Sequence, residues 1–190
     1  MTRGPKSATK KAVAYLVPRA RTFLVHPEAQ VAFELLRDFL PRGEGLTRTA
    51  CRPILEILDT DEGPDGARMV VARFKDFLQL GNGLTDDVLV IPRTGTSEQI
   101  RDDAWAEVCA ELLVPSASLR DLTRLYRRLR QTIPPASCAP IFGGRHLTQK
   151  AFAAPVAIHP RTLARSLKKN PAHPVGRQTI FQEALNETAR

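Results

Sequence analysis

Between Ser118 and Pro134 the chain sets Leu119, Leu122, Leu125, Tyr126 and Leu129 at helical spacing, opens on a Ser118/Asp121 capping pair and stops at two prolines. A segment of this kind has few alternatives to an amphipathic α-helix, because only a period near 3.6 gathers those side chains on one stripe. Its other face is basic, with Arg120, Arg124, Arg127, Arg128 and Arg130. These arginines are either the solvated side of a core helix or a row that tracks a phosphate backbone. Arg120, Arg124, Arg127 and Arg128 are therefore retained as candidate phosphate contacts.

Similar punctuation recurs upstream. In "HPEAQVAFELLRDFLPRG", Pro27 suits the first turn of a helix, Ala32, Leu35, Leu36, Phe39 and Leu40 form a stripe, and Pro41 and Gly43 stop it. "TSEQIRDDAWAEVCAELLVP" begins with Thr96 and Gln99 at capping-box spacing and aligns Ile100, Ala104, Val108 and Leu112, with Trp105 and Leu113 widening the stripe. "TACRPILEIL" is a shorter helix candidate with Pro53 in its first turn. "ARMVVARFKDFLQLGNG" has Val70, Val71, Phe74, Phe77 and Leu78 at helical spacing before Gly81, with a strand at "MVVARF" as the alternative. "DDVLVIP" is the best short strand candidate, but with no obvious partner strand it is read as an extended connector. "PPASCAPIFGGR" has the Pro/Gly content of a passage between modules, and the boundary is placed there.

The expected fold is mainly α. It has a multi-helical body over residues 13–135, with minor β structure around 68–92, and a basic helix-turn-helix-like module with a tail over 136–190. Residues 1–12 are basic and poor in apolar side chains, and are expected to form a flexible arm. No run approaches the roughly 18 apolar residues of a membrane span, and the N-terminus does not read as a signal peptide. Cys51, Cys109 and Cys138 are too scattered for a disulfide framework or a zinc pattern, and a reducing cytoplasm is the expected compartment.

Charge is unevenly distributed. Residues 1–115 hold 15 Lys/Arg against 17 Asp/Glu, whereas residues 116–190 hold 13 against 3. A segment so depleted of acids suits a polyanion, because clustered cations gain free energy by releasing the counterions condensed on phosphates. No nucleotide-binding, nucleophile-elbow or zinc-protease motif is present, "GNG" and "FGGRH" read first as turns, and neither catalysis, a metal nor a cofactor is expected.

Within the basic part, Leu147, Thr148 and Gln149 open a pattern that continues through Ala153, Val156, Ala157, Ile158, Thr162, Leu163, Arg165 and Leu167. Over residues 147–167 it resembles the helix-turn-helix segment of the Cro, Xre and ParB type. A small residue at Ala153 lets two helices cross closely, while Phe152, Val156, Ile158, Leu163 and Leu167 supply an inner face. Pro155 is expected to kink or shorten the first helix, Ala157 stands where glycine is usual, and Pro160 suits the first turn of the second.

The resemblance implies that Thr148 and Gln149 lie near the DNA backbone, and that Arg161, Thr162 and Arg165 project into the major groove. Lys150, Lys168 and Lys169 are phosphate contacts in this reading. His159 either touches DNA or braces the turn. The expected function is a small repressor or a plasmid or phage maintenance factor that binds duplex DNA as a homodimer, its N-terminal body dimerising or holding a protein partner. The alternative is a protein-interaction or inhibitor module acting on a nucleic-acid machine, with only non-specific attachment to nucleic acid.

Overall fold

The computed structural model describes residues 13–18, 22–40, 53–62, 66–80, 87–115 and 117–170. The expected N-terminal arm, the C-terminal tail and Cys51 lie outside them. In chain order the elements are β1 (Tyr15–Pro18), β2 (Phe23–Val25), α1 (Pro27–Phe39), β3 (Ile54–Glu62), β4 (Arg68–Ala72) and α2 (Phe74–Gln79). They continue with β5 (Asp87–Arg93), α3 (Ser97–Leu112), α4 (Leu119–Thr132), α5 (Pro135–Phe142), α6 (Gln149–Ala153) and α7 (Pro160–Lys169).

The body is α/β, which corrects the expectation of a mainly helical protein. Its five strands form one mixed sheet in the order β1-β5-β3-β4-β2. β5 pairs parallel with β3 and antiparallel with β1, while β4 pairs antiparallel with β3 and parallel with β2. The strands therefore extend well outside the 68–92 window. "PILEIL" forms β3 rather than a helix, with Leu55, Ile57 and Leu58 buried.

"ARMVVARFKDFLQL" divides into two elements. Met69, Val70, Val71 and Ala72 are all buried in succession, as in a strand covered on both faces. Arg73 then takes a left-handed conformation at φ 66°, and α2 begins at Phe74. The spacing that resembled one helix thus spans a strand end and a helix start. The stretch from Asp87 onward is not a connector but β5, whose partners β1 and β3 are distant in sequence.

The helices with complete local signals form where those signals lie. Pro27 enters the first turn of α1, where His26 Nδ1 accepts the Glu28 N–H at 3.2 Å. The Thr96/Gln99 box caps α3: the Gln99 N–H donates to Thr96 Oγ1 at 3.3 Å and the Thr96 N–H to Gln99 Oε1 at 3.0 Å. α1, α2 and α3 contact the sheet and close over Trp105, Phe74 and Leu36. Phe33 of α1 meets Phe74 and Phe77 at ring separations of 5.8 and 5.5 Å.

"PPASCAPIF" forms α5, although its composition resembled a connector. Pro135 occupies the first turn and Gly143 ends the helix at φ 74°, two positions where these residues are compatible with helix. α5 packs on α3, where the Ser137 hydroxyl donates to Asp102 Oδ1 at 2.6 Å. The hydrophobic core is continuous from Leu55 and Val90 in the sheet to Leu147, Phe152, Val156 and Leu163 beyond α5. Among the described residues no helix is long and apolar enough to cross a membrane.

One carboxylate joins the layers. Glu107 of α3 accepts the Arg73 and Phe74 N–H groups at 2.9 and 2.8 Å, fixing the left-handed link between β4 and α2. Burial pushes its carboxyl upward from 4.5; the two backbone hydrogen bonds oppose this, and Glu56 and Glu111 reinforce it. The native state therefore keeps a proton over a range where the unfolded chain has released it, so this group's stability contribution falls as pH rises through that range. Urea unfolding at a series of pH values should show parent stability falling relative to Glu107→Gln as pH climbs above about 4.5. A difference that stayed constant or moved in the opposite direction would contradict this assignment.

Candidate nucleic-acid interface

α4 is the platform of the basic region. Ser118 caps it by accepting the Asp121 N–H at 3.2 Å, and Leu122, Leu125, Tyr126 and Leu129 are buried. Three of its outward arginines hold other parts of the protein. Arg124 stacks over the Phe39 ring at 5.1 Å, and Arg128 Nη2 lies 3.4 Å from Asp38 Oδ2. Arg127 Nη2 donates to the Leu167 carbonyl at 3.0 Å and to the Asn170 carbonyl. Arg120 and Arg130 make no ion pair or hydrogen bond among the described residues. The row that sequence suggested for phosphate contact therefore serves in large part to fasten α1 and α7 to α4.

The two helices of the 147–167 segment pack against each other and against α4. Thr148 caps α6 by accepting the Ala151 N–H at 3.1 Å. Phe152, Ala153, Val156 and Leu163 are buried, and Phe152 meets Tyr126 edge-on at 5.2 Å. Pro155 lies two residues past the end of α6, so the first helix is short and the proline removes no bond from it. Ala157 adopts φ 54°, the left-handed conformation that glycine would take freely, at a cost of roughly 1–2 kcal/mol. The Ile158 N–H reaches the Ala153 carbonyl at 3.1 Å and closes the turn.

His159 has an identifiable local role. Its Nδ1 accepts the Arg161 N–H at 3.2 Å as the cap of α7, with Pro160 in the first turn. Inward, Ser166 meets Thr123 of α4 at 2.8 Å, both residues being buried. The Thr123 hydroxyl has one proton, directed to the Leu119 carbonyl at 2.6 Å, so Ser166 donates to Thr123. Outward, Arg161, Thr162, Arg165, Lys168 and Lys169 are all exposed. Arg161, Arg165 and Lys168 follow i, i+4, i+7 spacing and share one side.

This surface has little acid to neutralise it. Residues 117–170 contain 11 Lys/Arg and a single carboxylate, Asp121, which is hydrogen-bonded to Ser118. α7 spans ten residues, so it is about 15 Å long, and a B-DNA major groove about 12 Å wide accommodates a helix. Thr148 and Lys150 are exposed at the start of α6, with Gln149 half-buried between them. The structure thus brings together the sequence-derived residues of α6 and α7, while Arg124, Arg127 and Arg128 are engaged within the protein.

Other chemical candidates resolve into structural roles. Burial pushes the Cys109 thiol up to about 12, so it remains protonated and a poor nucleophile, and Cys138 shifts in the same direction for the same reason. The glycine pair of "FGGRH" begins with the Gly143 helix terminator. Sequence reasoning did not identify the roles of Thr123, Ser166 and Arg127, whose partners lie 40 or more residues away in the chain.

The hydroxyl chain makes an asymmetric prediction. Thr123→Val leaves the buried Ser166 donor without a partner and should lower stability by about 1–3 kcal/mol. Ser166→Ala should cost less, because Thr123 keeps its bond to Leu119. Denaturant unfolding of both variants measures the contrast, and an equal or reversed order would show that the proton direction is wrong. No protein-family model and no curated protein matches this chain.

Proposed function

We propose that this protein binds specific sites on duplex DNA, with α7 in the major groove, as a small repressor or a plasmid or phage maintenance factor. The observation that carries the reading is the exposed, acid-free Arg161/Thr162/Arg165 face of a helix whose opposite side is anchored to α4. An anchored helix loses little orientational freedom on binding, so its arginines can discriminate bases as well as supply charge.

Thr148, Gln149 and Lys150 are assigned to the neighbouring backbone, and Lys168 and Lys169 to phosphates at the far end of α7. His159 is assigned first to the cap, where it sets the position of Arg161. Two copies would engage half-sites about 34 Å apart, one helical turn of DNA, which doubles the contact by symmetry. The α/β body is the candidate surface for self-association or a protein partner. The cytoplasm is the proposed compartment.

The test compares a cognate duplex selected from a random pool with a scrambled one across several salt concentrations. Arg161→Ala and Arg165→Ala should each reduce preference for the cognate site by roughly 1–3 kcal/mol per lost base contact. Lys168→Ala and Lys169→Ala should weaken both duplexes alike and lower the salt slope by about one each. Equal, sequence-independent losses in all four variants would replace specific recognition with general basic attachment.

A further inference from the structure

Where α4 ends and the helix-turn-helix begins, the surface opens into a cleft of about 520 Å³. Tyr126, Ile133 and Leu147 provide apolar wall, and Arg130, Arg145 and His146 bring nitrogen-bearing side chains to it. No carboxylate lines the cleft. Among the described residues, Arg130, Arg145 and His146 have no ion pair or side-chain hydrogen bond, in contrast to Arg124, Arg127 and Arg128 on the same platform. Gly143, left-handed at φ 74°, ends α5 and lets the next residues turn back towards the end of α4.

Two guanidinium groups sharing a cleft repel each other and gain from an anion held between them. A phosphate suits them because its oxygens match the paired N–H donors of arginine. We propose that this cleft is a phosphate-binding site, distinct from the outward face of α7, with Arg130 and Arg145 as its principal ligands. His146 and Gln149 would provide further polar contacts. The volume exceeds what one phosphate fills and falls within the range of small-molecule sites, with apolar wall available for an attached organic group. The phosphate can come from a free phosphorylated compound or from the duplex backbone, and the second source alone rests on the DNA-binding reading.

The experiment separates the two sources using inorganic pyrophosphate and a scrambled duplex as probes. It uses the full chain, Arg130→Gln, Arg145→Gln and, as a charge-matched control off the cleft on α1, Arg37→Gln. These side chains are exposed, and thermal unfolding checks that each variant is folded. Calorimetry should show pyrophosphate binding weakened on the order of tenfold by either cleft substitution and unchanged by Arg37→Gln if the ligand is free.

If the backbone is the source, pyrophosphate binds the parent weakly. Each cleft substitution then lowers the duplex salt slope by about one, whereas the Arg37 variant does not. Equal effects at all three positions, or none at any, would overturn the site. Pyrophosphate binding that depends on the cleft, together with unchanged duplex preference in the Arg161 and Arg165 variants, would leave this site standing while rejecting the helix-turn-helix reading.

Discussion

Between α4 and α7 the chain places a buried hydroxyl pair and a guanidinium where leucines alone would otherwise fill the contact. Ser166 donates to Thr123, Thr123 donates to the Leu119 carbonyl, and Arg127 reaches the last carbonyl groups of α7. Apolar contacts tolerate rotation of a helix about its axis; directional hydrogen bonds do not. A net contribution of about 1 kcal/mol per bond is modest for stability, but an unmade buried bond costs more, which selects one orientation over its neighbours. That selection turns Leu163 and Ser166 inward and leaves Arg161, Thr162 and Arg165 outward.

The α/β body provides the other side of this arrangement. Arg73 in its left-handed conformation, capped through Glu107, ends β4 and starts α2 beneath α1, so that the phenylalanines of α2 meet Phe33. α1 in turn receives Arg124 and Arg128 from α4 through Phe39 and Asp38. Positive charge is used differently along the chain. In the body, Glu56 receives both Arg73 and Arg93, and Asp103 receives Arg93 as well. Beyond residue 117 there are too few carboxylates to repeat that pattern, so unpaired cations collect around α6, α7 and the cleft beside them.

Sequence alone was informative where a signal was local. Thr96 and Gln99, Ser118 and Asp121, and Pro27 mark helix starts through contacts within a few residues, and α1, α3 and α4 follow. The strands were misread because β4 is buried on successive residues and runs directly into α2, so its apolar positions merge into a false helical period. α5 was hidden by a composition typical of linkers: Pro135 and Gly143 occupy tolerated helix ends, but Pro140 lies inside the helix, where proline ordinarily argues against one. At the candidate interface, the exposure of Arg161 and Arg165 followed from the phase of α7. The internal roles of Arg124, Arg127 and Arg128 could not follow, because nothing near them in sequence distinguishes an arginine that braces a helix from one that awaits a ligand.

In the proposed reading the arginines divide their roles: those of α7 meet DNA, whereas those in the middle of α4 hold the protein together. Side-chain Nε–H nuclear magnetic resonance during titration with a cognate duplex observes both groups at once. The Arg161 and Arg165 signals should shift as the duplex is added while those of Arg124, Arg127 and Arg128 remain in place. Shifts confined to the α4 arginines, with α7 unperturbed, would contradict it.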